Sequence, residues 1–141
     1  MQVFIIGTPL ETAQCLDTKR LNRQIQEAKV ILDTLNGKAA WENHPCTIQY
    51  REHTRWLQCY LYCLKHYKSA NLGSAVKASE YCEMMKPSFH TEEYFDQMKR
   101  RLYTKMPEHY NQWEHLGESD VNWYFVDGEW RYYRNGKKIE L

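Results

Sequence analysis

A chain of 141 residues with a formal net charge of +1 has room for one domain and carries no general basic coat, so any binding to a polyanion must come from a local cationic face. Hydrophobic residues make up 43% of it, enough for a packed core. No run approaches the ~20 apolar residues of a membrane span, and residues 1–6 are too short and lack a basic lead-in for a secretory leader, which predicts an intracellular protein. Five cysteines (15, 46, 59, 63 and 82) are odd in number and without CxxC spacing, the pattern of reduced thiols rather than a disulfide framework. Cys59, Cys63 and His66 can share a helix face, but they sit among Tyr60, Leu61 and Leu64 and read as packed thiols, so no metal or other cofactor is expected.

In chain order, residues 1–7 predict a short extended segment ended by Gly7 and Pro9. From Asp17 or Thr18, either a competent N-cap, Leu21, Ile25, Ala28, Leu32 and Leu35 follow the helical period until Asn36-Gly37 stops it. A second helix is predicted from about Thr47 to Tyr67, with Leu57, Tyr60, Leu64 and Tyr67 on one stripe and His53 in line with it. Ser74 caps a shorter helix to about Met85, ended by Pro87. Thr91 opens another, whose Phe95, Met98 and Leu102 face inward and whose Lys99, Arg100 and Lys105 are grouped on the opposite side. Pro107-Glu-His-Tyr is read as the first turn of one more short helix. The tail WYFVDGEWRYYRNGKKIEL places Asp127-Gly128 and Asn135-Gly136 between aromatic-rich runs, which predicts a three-stranded antiparallel meander with Trp130 and Tyr132 on one face.

The first long helix carries the chemistry. Arg20, Gln24, Glu27 and Ile31 form a stripe about 100° from the apolar one, so Glu27 borders the core as the one acid among cations and amides. Partial burial raises a carboxyl pKa and nearby arginines lower it, a balance suited to acid/base work. The alternative is an ordinary i,i+4 ion pair between Arg23 and Glu27.

The pattern LDxxRLxRQxxEAxxIL beginning at Leu16, followed by Trp41-Glu-Asn-His-Pro45, resembles the pyrimidine-dimer DNA glycosylase family, relatives of the phage endonuclease V repair enzymes. Leu102–Tyr110 resembles the LxxKxPEHY stretch of bacterial members, and Trp130–Lys137 the WYKYYGK end of the phage enzyme. The resemblance implies a mainly α, compact single-domain helical bundle with a small C-terminal meander, acting as a monomer on double-stranded DNA. It implies excision of a damaged or modified pyrimidine and a viral or bacterial source. The family's catalytic glutamate lies six residues after a helix leucine, the spacing of Leu21 and Glu27. The family also uses a free N-terminal amine as nucleophile for an AP-lyase step. Here Gln2 is a bulky second residue, which predicts that Met1 is kept; the attacking amine is then that of Met1, or water attacks instead.

Arg20, Arg23 and Gln24 are the expected DNA contacts around Glu27. Asn43 and His44, in a loop, are further candidates, with loop bracing as the alternative. His53 reads more readily as a core histidine, although the resemblance places it among the DNA contacts. Lys99, Arg100 and Lys105 form a candidate phosphate-binding face, and Trp130 and Tyr132 candidate stacking groups. His109 and Tyr110 are expected to be structural. Two other functions stay open: a monofunctional, water-using glycosylase for a modified pyrimidine, and a DNA-binding module that has lost the chemistry.

Overall fold

The computed structural model describes residues 2–38 and 40–141, and the fold is mainly helical with a three-stranded sheet at the C-terminal end. Residues 3–6 are buried yet belong to no strand. Their polar groups are answered by side chains, which a buried backbone requires: the Phe4 N–H donates to Gln24 Oε1 at 2.9 Å and the Ile6 N–H to Thr12 Oγ1 at 3.1 Å. The first helix, α1 (Pro9–Cys15), falls where the sequence suggested only a stop. Thr8 and Glu11 exchange side-chain and backbone hydrogen bonds in a capping box, with Pro9 in the first turn where its missing N–H costs nothing.

Helix α2 (Thr18–Leu35) is capped by Asp17, whose carboxylate accepts the Arg20 N–H. Its inward side is centred nearer Gln24 and Ile31 than the apolar stripe implied: both are buried, whereas Ile25 is only half-buried. The predicted 47–67 helix is two helices, α3 (Pro45–Gln49) and α4 (Thr54–Lys68), separated by a turn at 50–53. The aromatic core explains the break. Six residues apart on a straight helix, Tyr50 and Trp56 would point about 120° apart. The turn lets their rings stack at 5.4 Å and 13°, and Trp56 stacks on Tyr60 at 5.1 Å and 12°. Buried Tyr50 also bonds His90 Nε2 at 2.9 Å, and burial holds that imidazole down to about 3, hence neutral.

α4 is the central helix, packing against α5 (Leu72–Met84) and against α1 and α2, with Trp56, Leu57, Tyr60, Cys63 and Leu64 buried. α5 starts earlier than expected, because Asn71 rather than Ser74 caps it. α6 (Glu92–Lys105) opens on Thr91 as predicted. Residues 107–110 form a turn, and the short helix that follows is a 3-10 segment, Asn111–Leu116. Strands β1 (Asn122–Val126), β2 (Glu129–Arg134) and β3 (Lys137–Ile139) pair antiparallel in sequence order. At both hairpins the two turn residues have positive φ (52° and 79° at Asp127-Gly128, 51° and 78° at Asn135-Gly136), the type I′ geometry that matches strand twist. Val126 then pairs with Glu129, and Arg134 with Lys137.

Candidate active site

The N-terminal half of α2, the segment at Gln2–Phe4, the end of α6 and the start of β1 enclose a cleft of about 280 Å³. Its lining includes one carboxylate, Glu27, and five cations, Lys19, Arg20, Arg23, Arg101 and Lys105. Glu27 keeps 21% of its side chain exposed. Its Oε2 accepts the Gln24 Nε2–H at 3.2 Å and the Gln2 backbone N–H at 3.4 Å, while Oε1 lies 3.7 Å from Arg23 Nε. Burial raises the Glu27 pKa above the ordinary glutamate value, against the opposing pull of the Gln2 amide and the Arg23 and Lys105 charges.

Each cation is held differently. Arg20 lies 3.3 Å from Asp17, whose carboxylate also receives the hydroxyl of buried Tyr110, while the Asp17 N–H donates back to that hydroxyl at 3.0 Å. Arg23 is largely exposed, with Glu27 as its ion-pair partner. Arg101 donates through Nε to Asn122 Oδ1 at 2.9 Å. Lys105 has its ammonium 6.0 Å from the centre of the Phe4 ring, and burial, then repulsion from Arg101, Arg20 and Arg23, lowers its pKa. Three arginines crowding a partly buried lysine make a field that seeks an anion.

The structure brings together Gln2, Arg20, Arg23, Gln24, Glu27 and Lys105 from the sequence expectations; Met1 lies outside the described residues. Gln24, expected at the DNA, is 2% exposed with its amide bonded inside the protein, so it does not present itself to a ligand. Lys99 and Arg100 are not in the cleft. Lys99 is 3.7 Å from Asp96 and lies over Trp113, and Arg100 Nε donates to the Leu116 carbonyl at 2.9 Å. The expected grouping of Lys99, Arg100 and Lys105 fails on helix geometry, because five or six residues span 140° or 120° of arc, whereas Arg101 and Lys105, four apart, share a face. That spacing was available in the sequence for Arg101; nothing local pointed to Lys19, Phe4 or Asn122.

Asn43 is exposed in the turn before α3. His44 caps α3, its Nδ1 accepting the Cys46 N–H at 3.1 Å, with its ring edge-on to Trp41 and Tyr124 and its pKa lowered by burial. His53 borders a separate groove and packs edge-on to Phe89 at 5.6 Å. Trp130 packs on Tyr94, Phe125 and Trp123, and Tyr132 on Trp123, away from the cleft lining. His109 holds the Cys15 carbonyl at 3.2 Å. Burial pushes the thiols of Cys46 up to about 12 and of Cys63 up to about 11, and His66 packs on Tyr62. Among the described residues no three ligand-type side chains gather in a metal-holding group, and no helix is long and apolar enough to cross a membrane.

Comparison with known proteins adds one match. Residues 1–67 match the model of the family described as pyrimidine dimer DNA glycosylase, a segment that includes α2 and Glu27 and ends before the 102–110 and 130–137 stretches. No curated protein and no solved structure gave a match.

Proposed function

Taking the pyrimidine dimer DNA glycosylase match over residues 1–67 as the premise, we propose that the protein excises a damaged pyrimidine from duplex DNA, with Glu27 as the catalytic carboxylate. As the C1′–N bond breaks, its electrons leave with the base and positive charge builds on the sugar. A fixed carboxylate in a partly dry cleft stabilises that charge, a contribution of about 10²–10⁴-fold for a well-placed group. The surrounding cations engage phosphates and set the strand's register, while Arg23 and Lys105 favour the ionised form of Glu27. The single observation that supports this reading best is one carboxylate ringed by five cations in the same cleft as the start of the chain.

The nucleophile is an α-amine or water. Removal of Met1 would make Gln2 N that amine, and this atom is 3.4 Å from Glu27 Oε2. With an ordinary pKa of about 7.7–8.0, an α-amine is substantially neutral at working pH and can attack C1′ to form an imine, from which the strand is cleaved. If Met1 is kept, its own amine or water takes this part. In this reading the chain works as a monomeric single domain on double-stranded DNA inside a bacterial cell or a phage-infected host.

Duplexes carrying one pyrimidine photodimer, one modified pyrimidine or one abasic site test the proposal. Base release from a lesion duplex, lost in Glu27→Gln, is expected. A borohydride-trapped adduct mapping to the first residue assigns the amine, whereas release without an adduct assigns water. Binding with no release from any duplex, indifferent to Glu27→Gln, would overturn the enzyme and leave a binding module.

A further inference from the structure

Gln24 is the most fully committed polar side chain in the molecule's site region. It is 2% exposed, and its amide meets three separate parts of the chain. Nε2 donates to the Gln2 carbonyl at 2.6 Å and to Glu27 Oε2 at 3.2 Å; Oε1 accepts the Phe4 N–H and the Tyr60 hydroxyl, each at 2.9 Å. A primary amide has two donors and two lone pairs, so no valence is left over.

The amide's orientation is forced from outside. The Phe4 N–H can only donate and the Gln2 carbonyl can only accept, which fixes which end of the amide is oxygen and which is nitrogen. With one N–H committed to Gln2, the other points at Glu27 and needs a lone pair there. The ionised carboxylate offers lone pairs on both oxygens, so the contact favours the charged form. The same Glu27 oxygen receives the Gln2 backbone N–H. One side chain therefore grips residue 2 and residue 4 of the N-terminal segment and the catalytic acid at once.

We propose that Gln24, oriented by Tyr60, is the positioning residue of this site: it sets the separation between the start of the chain and the Glu27 carboxylate and holds that carboxylate ready to accept positive charge. Its kinetic consequence rests on the glycosylase reading; its effect on Glu27 does not. A core amide with a merely structural role would lower stability and leave the behaviour of Glu27 alone.

Two variants and two readouts test it. Gln24→Met keeps length and volume without donors or acceptors, and Tyr60→Phe keeps the ring and removes only the hydroxyl. In the free protein, the side-chain carboxyl carbon of Glu27 is followed by NMR against pH. Its titration is expected to move upward in Gln24→Met and less far upward in Tyr60→Phe. On a lesion duplex, single-turnover base release is expected to fall about tenfold or more in Gln24→Met and several-fold in Tyr60→Phe, with duplex affinity within about twofold of the parent. The acid limb of the rate should follow the NMR titration. An unmoved Glu27 titration in folded variants, or a rate loss that only tracks the folded fraction, would overturn the proposal. Should Gln24→Met not fold, Tyr60→Phe decides it. A parent protein that releases no base would sink the glycosylase reading, while the NMR result would still judge Gln24.

Discussion

Two hollows on this molecule are near mirror images in charge. The cleft beside α2 has one acid among five cations; the one beside α1 and α6 has Lys99 among four acids, Glu11, Glu83, Glu92 and Asp96. The two nearly cancel in the net charge of +1, so whole-chain charge hides a polarised surface that can present only one side to a polyanion. Similar composition of charged residues also conceals different chemistry. In the first hollow the lone charge is set where residue 2 crosses α2 and is hydrogen-bonded on one oxygen by two N–H groups. In the second, the lone Lys99 is paired with its neighbour Asp96 on the same helix.

The contrast can be broken most decisively at Glu27. Glu27→Gln is expected to cut base release by about 10²–10⁴-fold and yet to raise the melting temperature at pH 7–8. Because burial raises the carboxyl pKa in the folded state, the ionised group is less comfortable there than in the unfolded chain. That penalty is present above the raised pKa, shrinks as pH falls through it, and is gone below the ordinary glutamate value. Scanning calorimetry from pH 4 to pH 8 should therefore show the variant's advantage fading toward the acid end.

Neutralising cations one at a time sharpens the comparison between hollows. Arg101→Gln and Lys105→Gln are each expected to weaken duplex binding several-fold and to reduce the salt-dependence slope by about 1, whereas Lys99→Gln changes binding less than about twofold. Fluorescence anisotropy over a salt series reads both numbers, and equal losses at Lys99 and Lys105 would erase the distinction. A smaller effect concerns pH. Lys105 lowers the Glu27 pKa, so its removal should move the acid limb of the rate to higher pH. Smallest for activity is Tyr110→Phe, which removes the hydroxyl bonded to the Asp17 carboxylate that pairs with Arg20. It is expected to cost stability by about 1–3 kcal/mol in a denaturant titration, with little change in rate.

What the sequence made legible was local. Asp17 as N-cap, Thr91 as N-cap and the two Asx-Gly turns each act within a few residues, and the structure bears out the elements they announce. The Thr8-Pro-Leu-Glu11 capping box is equally local, and it opens a helix where Gly7 and Pro9 alone predict a stop. The turn at 50–53 was beyond reach, since its cause is the stacking of Tyr50 on Trp56 in a core assembled from distant segments. In the site, helical spacing put Glu27 at the edge of the core. Gln24 could not be told from a surface amide, because its burial depends on residues 2–4 lying across α2 and on Tyr60 arriving from α4. Arg101 and Lys105 needed only the arc between them.

The stacked rings of Tyr50, Trp56 and Tyr60 end on the hydroxyl that steadies Gln24. Interior and cleft are thus joined by one unbroken run of contacts, and repacking at Trp56 is expected to shift the Glu27 titration even where the fold survives. All three rings are buried, so the surroundings of Glu27 can be retuned from deep inside, without touching a single residue that meets the solvent.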